Sequence, residues 1–310
     1  MADSKKPTKE EIFGKAAFNI EHALNMYALS FCTIPAEGIY DKEALAPLGS
    51  VIDTCHIYLI GYTPKIEFVG AAQKDQSLLL TFEVLTQNHV IEFVLPEGLS
   101  LKADGELWYL GDDSGRRFRP SEMEMQTRLA ATTGAFKFEV KYVGQAYGQD
   151  GSRNAIDRLL KHETLQKIAL KGVPEGHRIT LLLLAIESNN RLITSINPFA
   201  KNKDEGGTRI KQGLDKLFNT TEEERICLYE AAFIRYFYPT FNKEFKDSFP
   251  STNLKILRDC YEKDFSAVVG EICIDDLPFR LWSNVVEPKL YHIATHDLHK
   301  SEERRMFFGL

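Results

Sequence analysis

Residues 142–162 read YVGQAYGQDGSRNAIDRLLKH, and what this stretch becomes decides the fold around it. The residues leading into it, 136–143 (FKFEVKYV), are rich in aromatic and β-branched types and predict a strand. A glycine-rich loop follows. It lacks the Gly-Lys-Ser/Thr ending of a nucleotide-binding loop, so a flexible connection is the simpler reading. Residues 154–168, NAIDRLLKHETLQKI, predict one amphipathic helix. On such a helix Asn154, Arg158 and His162, each four residues apart, share a face, while Ile156, Leu159 and Leu160 turn toward packing. An arginine offers a fixed fork of donors to phosphate oxygens, and a histidine one turn away can move a proton near neutral pH.

A second stretch, residues 230–242 (EAAFIRYFYPTFN), closes another predicted helix. Thr221 and Glu224 form a capping box that opens it, and Pro239 ends it near Tyr238. Ile226, Ala231, Ile234 and Phe237 make an apolar stripe, and Glu230 lies among these hydrophobic neighbours. A single carboxylate can carry one Mg²⁺ whose other positions are taken by water and phosphate. Asn242 lies just past the helix-ending proline, where its amide can fix a neighbouring side chain or cap a turn.

The ordered set Tyr142-Val143-Gly144, Arg158-x3-His162 and Glu230-x11-Asn242 resembles the GIY-YIG nuclease family, over roughly residues 105–245, and is closest to its restriction-endonuclease-like members. The resemblance implies an α+β fold with a small central antiparallel sheet flanked by helices, to which this chain adds a β-rich N-terminal region and a C-terminal extension. It implies a metal-dependent endonuclease that hydrolyses DNA phosphodiester bonds with Mg²⁺ or Mn²⁺, in a restriction or antiviral-defence setting. Tyr142, Arg158, His162, Glu230 and Asn242 take catalytic positions, with Glu230 the metal ligand. The family's first tyrosine is assigned to Tyr109, in the strand-like Leu107-Trp108-Tyr109-Leu110. Phe136 or Phe138 are alternatives that would remove that phenol. The literal Gly38-Ile39-Tyr40 follows Pro35 in a segment that does not read as a strand.

The rest of the chain predicts a helix over 11–29, extended runs at 55–60 and 66–69, and a hairpin over 78–95. Residues 50–100 form either a small β-rich domain or an antiparallel extension of one sheet. A short helix follows at 121–131, capped by Ser121, and a buried strand at 179–186. Residues 189–219 read as irregular and polar, and the tail from 268 as short strands and turns. Domains are placed at 1–100 (a recognition region), 101–250 (the nuclease-like unit) and 251–310. DNA contacts are expected from Arg116, Arg117 and Arg119 and from Lys201, Lys203, Arg209 and Lys211. His292, His296 and His299 would cluster on a helix, yet no carboxylate or cysteine completes a metal pattern there.

A net charge of -6 does not advertise nucleic acid, although a groove responds to local rather than net charge. Five cysteines without CxxC spacing argue for reduced thiols rather than zinc or disulfides. The charged start MADSKKPTKEE carries no signal-peptide core, and no apolar run is long enough to span a bilayer. The expectation is a soluble cytoplasmic protein with DNA as its partner, no membrane, and room for a homo-oligomer or an activating partner. Two rivals remain: a non-catalytic nucleic-acid or protein-binding module on a degenerate version of the same fold, and a hydrolase directed at RNA or nucleotides.

Overall fold

Strand β2, Ile57–Pro64 (IYLIGYTP), is buried at all eight positions. A strand with no polar alternation must be covered on both faces, and its neighbours show how. The computed structural model describes residues 8, 13–105, 107–148, 154–187, 190–251 and 253–305. In it β2 runs antiparallel to β9 (Lys137–Gln145) on one side and to β10 (His177–Ile186) on the other. Side chains of β2 and β10 then divide by parity. Ile57, Leu59, Leu182 and Leu184 enter one apolar cluster, and Tyr58, Ile60, Leu181 and Leu183 enter another on the opposite face.

The sheet continues outward in the order β14-β13-β9-β2-β10-β1-β12-β15, with β11 also paired to β1. Here β1 is Ile20–Pro35, β11 Arg191–Ile196, β12 Ala267–Cys273, β13 Arg280–Ser283, β14 Val286–Lys289 and β15 Tyr291–Asp297. Most pairs are antiparallel, but β1–β12 and β9–β13 are parallel. The eight strands turn through 319° about an axis, giving a near-closed mixed barrel flanked by helices. The 16-residue β1 helps it curl. Its first half pairs with β11 and β12, its second half with β10, and the register shifts between Ala28 and Ser30. Such an irregularity bends a strand and sharpens its twist.

This architecture corrects the expected fold. A small central antiparallel sheet is replaced by a large near-closed mixed barrel, and the GIY-YIG resemblance falls with it. Barrel strands come from the first 64 residues, the middle and the last 45 of the chain alike, so the sheet closes only through non-local pairing. The described part of the expected helix over 11–29 is largely β1: its apolar residues suit either period, and three neighbouring strands offer hydrogen bonds that a helix would forfeit. Residues 189–219 also hold more order than their polarity suggested, namely β11 and a helix over Thr208–Asn219. The hairpin is present as β4 (Ser77–Val84) and β5 (Gln87–Val94), turning at Leu85-Thr86, where both φ angles are positive. With β3 (Ile66–Lys74) it forms its own three-stranded sheet. Strands β6 (Ser100–Asp104), β7 (Leu107–Gly111) and β8 (Arg117–Phe118) form another.

Helices in chain order are α1 (Lys42–Leu45), α2 (Gly49–Ile52), α3 (Glu122–Thr133), α4 (Ala155–Leu159), α5 (Glu163–Leu170), α6 (Thr208–Asn219), α7 (Glu222–Phe237) and α8 (Lys255–Glu262). The capping box Thr221–Glu224 opens α7 as expected, and Ser121 caps α3. Helix α7 touches β9 near one end of the sheet and β12 and β15 at the other, so it bridges the two ends of the curl. Its almost continuous burial follows from that position. Among the described residues no helix is long and apolar enough to cross a membrane.

One position tests the β2–β9 contact. At Gly61, beside a register shift, a Cβ would stand 2.1 Å from Cε1 of Phe138 and 2.5 Å from the carbonyl oxygen of Glu139. The Phe138 ring is buried and cannot swing aside. Gly61→Ala is therefore expected to destabilise the protein by about 3 kcal/mol or more, read from urea denaturation midpoints; a loss below about 1 kcal/mol would show the contact to be looser than described.

Candidate active site

The β2–β9 ladder sets Tyr58 opposite Gly144 and Ile60 opposite Tyr142. Tyr58 and Tyr142 are thus diagonal neighbours on one face of the sheet, with ring centroids 6.2 Å apart. Gly144 makes room for them: a Cβ there would lie 2.6 Å from both rings. Over this face pack α4 and α5, whose Leu159, Leu165 and Ile168 join the same cluster as Tyr58.

The two helices are not one. The expected helix over 154–168 breaks after Leu159 and restarts at Glu163, so Asn154, Arg158 and His162 do not share a helical face. Asn154 is instead the N-cap of α4, in a capping box with Asp157. His162 is the N-cap of α5, where its Nδ1 accepts the backbone N–H of Leu165 at 3.2 Å. That bond fixes the tautomer. With Nδ1 accepting, the ring proton of neutral His162 is on Nε2, which lies 3.0 Å from the Tyr58 hydroxyl and donates to it. Burial first, and then the Arg158 guanidinium, hold His162 down at about 4, so the neutral form prevails at pH 7.

The Arg158 guanidinium stands near enough to both phenols to favour their charged forms, and Tyr58 has the same effect on Tyr142. Two bonds thus run in one direction, Leu165 N–H to His162 and His162 to Tyr58, with the Tyr142 ring beside Tyr58. Burial raises both phenols above the ordinary tyrosine range. For Tyr58 the nearby Tyr142 and Glu230 add to the rise, for Tyr142 Glu230 and Glu244 do, and Arg158 opposes it in both.

Glu230 projects from the buried α7 toward the same place. Burial, followed by the charge of Glu244, pushes its carboxyl up to about 8, although the neighbouring Gln145 and the Arg158 charge favour its ionised form. Asn242 accepts the Val143 N–H at 2.9 Å and donates to the Val143 carbonyl at 2.8 Å. It thereby clamps the chain after Pro239 onto β9 beside Tyr142. Tyr142, Glu230, Asn242 and Glu244 line a cleft of about 850 Å³ with Lys167, Lys171 and Lys243 among its other walls. The Lys171 ammonium lies 5.0 Å from the centroid of the Phe241 ring. Arg158 lines a different, smaller cavity with Gln145 and Cys227.

Tyr142, Arg158, His162, Glu230 and Asn242 are therefore brought together, and Tyr58, Gln145 and Glu244 join them unanticipated. Tyr58 carried one signal in the sequence, a tyrosine inside an unbroken apolar run, where a buried hydroxyl must find a partner. Tyr109 is elsewhere: it is on β7 in the separate β6–β8 sheet, with Arg117 over its ring at 4.4 Å. Phe136 and Phe138 are buried in the other cluster. Gly38-Ile39-Tyr40 belongs to a 3-10 turn, Ala36–Tyr40.

The expected DNA contacts divide. Arg116 and Arg117 pair with Asp112 and Asp104, and Arg119 donates to the Trp108 carbonyl. Lys201 pairs with Glu303, while Lys203 and Lys211 are exposed. Arg209 is buried against Glu21 at 2.9 Å and Asp264 at 2.6 Å, which ties α6 to β1 and removes it from any groove. His292 and His296 are on strand β15 rather than a helix, bonded to the carbonyls of Lys289 and Ala232, and His299 follows it, bonded to that of Phe265. The loop over 144–151 lies partly outside the described residues.

No protein-family model matches the chain, and no curated protein or solved structure matches it. Among the described residues no group of three or more His, Cys, Asp or Glu is placed to hold a metal ion. The labels GIY-YIG, nuclease and metal-binding, which came with the family resemblance, thus lose that warrant: the barrel contradicts the fold, and no such cluster replaces it. The cluster has to be judged on its own geometry.

The raised Glu230 carboxyl has a consequence for stability. Its folded form holds the proton more tightly than an unfolded glutamate near 4.5, so its contribution is present at low pH and is lost as pH rises through about 8. Glu230→Gln removes that ionisation. At pH values above that range the variant is expected to be more stable than wild type by about 2–4 kcal/mol, converging with it at acid pH, as read from denaturation across pH. A constant difference between the two at all pH values would refute the buried-carboxyl account.

Proposed function

We propose that this cluster hydrolyses phosphodiester bonds, with DNA as the substrate class. One observation carries the reading: Tyr142, beside the His162–Tyr58 hydrogen bond, stands at the wall of a lysine-bearing cleft that also holds Glu230. The Arg158 charge and the neighbouring Tyr58 favour the ionised form of the Tyr142 oxygen. An ionised Tyr142 would take the proton of an attacking water as the new P–O bond forms and the bond from phosphorus to the leaving sugar oxygen breaks, that oxygen taking up a proton from solvent. Arg158 would offset the charge that builds on the phosphate. Lys167, Lys171 and Lys243 would hold the flanking strand, and Phe241 offers a ring for a base to stack on.

Burial and two carboxylates, Glu230 and Glu244, oppose ionisation of Tyr142, and burial and Glu244 likewise oppose ionisation of Glu230. A divalent cation fits that conflict. Glu230 is the residue that would hold it, with Glu244 facing the same cleft. Mg²⁺ or Mn²⁺ bound there would supply neutralising charge for the phosphate. With Glu230 neutralised, Tyr142 ionises more readily, and Tyr58 and His162 keep its oxygen oriented.

Supercoiled plasmid incubated with the protein and Mg²⁺ tests this. Wild type is expected to cut, Tyr142→Phe and Arg158→Ala to lose about 100-fold or more in rate, and Tyr58→Phe to lose less and shift the rate profile to higher pH. Binding of DNA or RNA without cleavage of either would favour the non-catalytic binding module. Cleavage of RNA alone would move the substrate class.

A further inference from the structure

Helix α6 (TRIKQGLDKLFN) is amphipathic the wrong way round. Its buried positions are Arg209, Gly213 and Lys216, whereas Ile210, Leu214 and Phe218 are exposed at 43%, 43% and 76%. The three apolar residues are four apart, so they form one stripe along the solvent side. A surface helix ordinarily turns such a stripe inward. Rotation of α6 cannot correct this. Arg209 is tied to Glu21 and Asp264, and Lys216 pairs with Asp259 at 2.6 Å. A Cβ at Gly213 would stand 2.8 Å from Nε2 of His22 and 2.9 Å from Cδ2 of Leu192, so the helix sits close on β1 and β11. The face of β11 that carries Leu192 also carries Ile196, which is 73% exposed.

Charges beside the stripe indicate what covers it. Lys211 and Asp215 are one turn apart on the same flank of the stripe. Lys211 is exposed, and Asp215 holds Lys263 at 3.1 Å with half of its side chain still open to solvent. Suppose two copies of α6 lie antiparallel across a two-fold axis at Leu214. With a rise of about 1.5 Å per residue, Lys211 of one copy comes within about 3 Å, along the helix, of Asp215 of the other. Phe218 comes level with Ile210 of the other copy, and Leu214 meets its own counterpart. Symmetry makes each contact twice, so an apolar seam is flanked by two ion pairs. A parallel pair would instead set lysine on lysine and aspartate on aspartate. With Ile196, the stripe exposes about 450 Å² of apolar surface per copy; at the roughly 65% apolar make-up of homodimer interfaces, that corresponds to about 1,400 Å² buried in total, the size of a stable pair.

We propose that α6 is a homodimer interface, docking on α6 of a second copy of this chain, antiparallel about Leu214. The proposal is independent of the phosphodiester reading and stands or falls separately.

Analytical ultracentrifugation of the full chain, from about 1 to 100 µM, tests it. Wild type is expected to dimerise with Kd of about 10 µM or tighter. Phe218→Asp, at a position exposed in the single copy, should weaken association about 100-fold by burying a charge in the seam. Lys211→Asp and Asp215→Lys should each weaken it about tenfold, because like charges then meet across the axis. An equimolar mixture of those two variants should associate within about threefold of wild type, since every cross-axis contact is again lysine on aspartate. A wild type that stays monomeric at about 100 µM leaves the stripe to a different chain and overturns the proposal. Undiminished association of Phe218→Asp does so too, as does a mixture that associates no better than either variant alone.

Discussion

The structure depends on the burial of β2 on both faces. A strand with no solvent-facing side has to be paired on both edges and covered above and below, and β9, β10, α4 and α5 are placed by that demand. It also sets a polar problem. The Tyr58 hydroxyl is carried into the apolar layer, where an unpaired group would be costly. His162 resolves it, and His162 can do so only because the helix over 154–168 breaks and leaves its ring as the cap of α5. A local break in secondary structure and a long-range hydrogen bond are thus one feature.

The electrostatics of the cluster follow from the same burial. Desolvation holds His162 neutral, holds both phenols protonated at rest and raises Glu230 into the neutral range. Arg158 is the cation that bears on all four of these groups, and it favours the ionised phenols and carboxylate while disfavouring a charged histidine. Groups poised this way cluster where protons are moved, although buried structural networks perturb ionisation as well. The hydrolytic reading rests on the His162–Tyr58 bond lying beside the cleft-facing Tyr142.

Features written in local sequence were legible. The Thr221 capping box, the Ser121 cap, the period-two pattern of β4 and the apolar β10 need only neighbouring residues to be understood. Features that depend on distant partners were not. Residues 20–35 carry apolar side chains that suit a helix, and only β10, β11 and β12 make them a strand. The spacing of Asn154, Arg158 and His162 pointed to one helical face; the three residues are near one another, but through two caps and a break. Motif spacing also pointed to a known fold, and the barrel overturned it, because five residues in order do not specify how many strands surround them.

By itself the sequence singled out five residues that the fold brings together: Tyr142, Arg158, His162, Glu230 and Asn242 are polar or ionisable groups set against apolar neighbours, and that contrast is local. Only the tertiary structure decided that Tyr58 rather than Tyr109 stands beside Tyr142, that Arg209 is locked to Glu21 and Asp264, and that the sheet curls into a near-closed barrel. Each of these is a pairing between residues far apart in the chain. Such pairings are set by which strands satisfy one another's backbone hydrogen bonds, and no single segment contains that information.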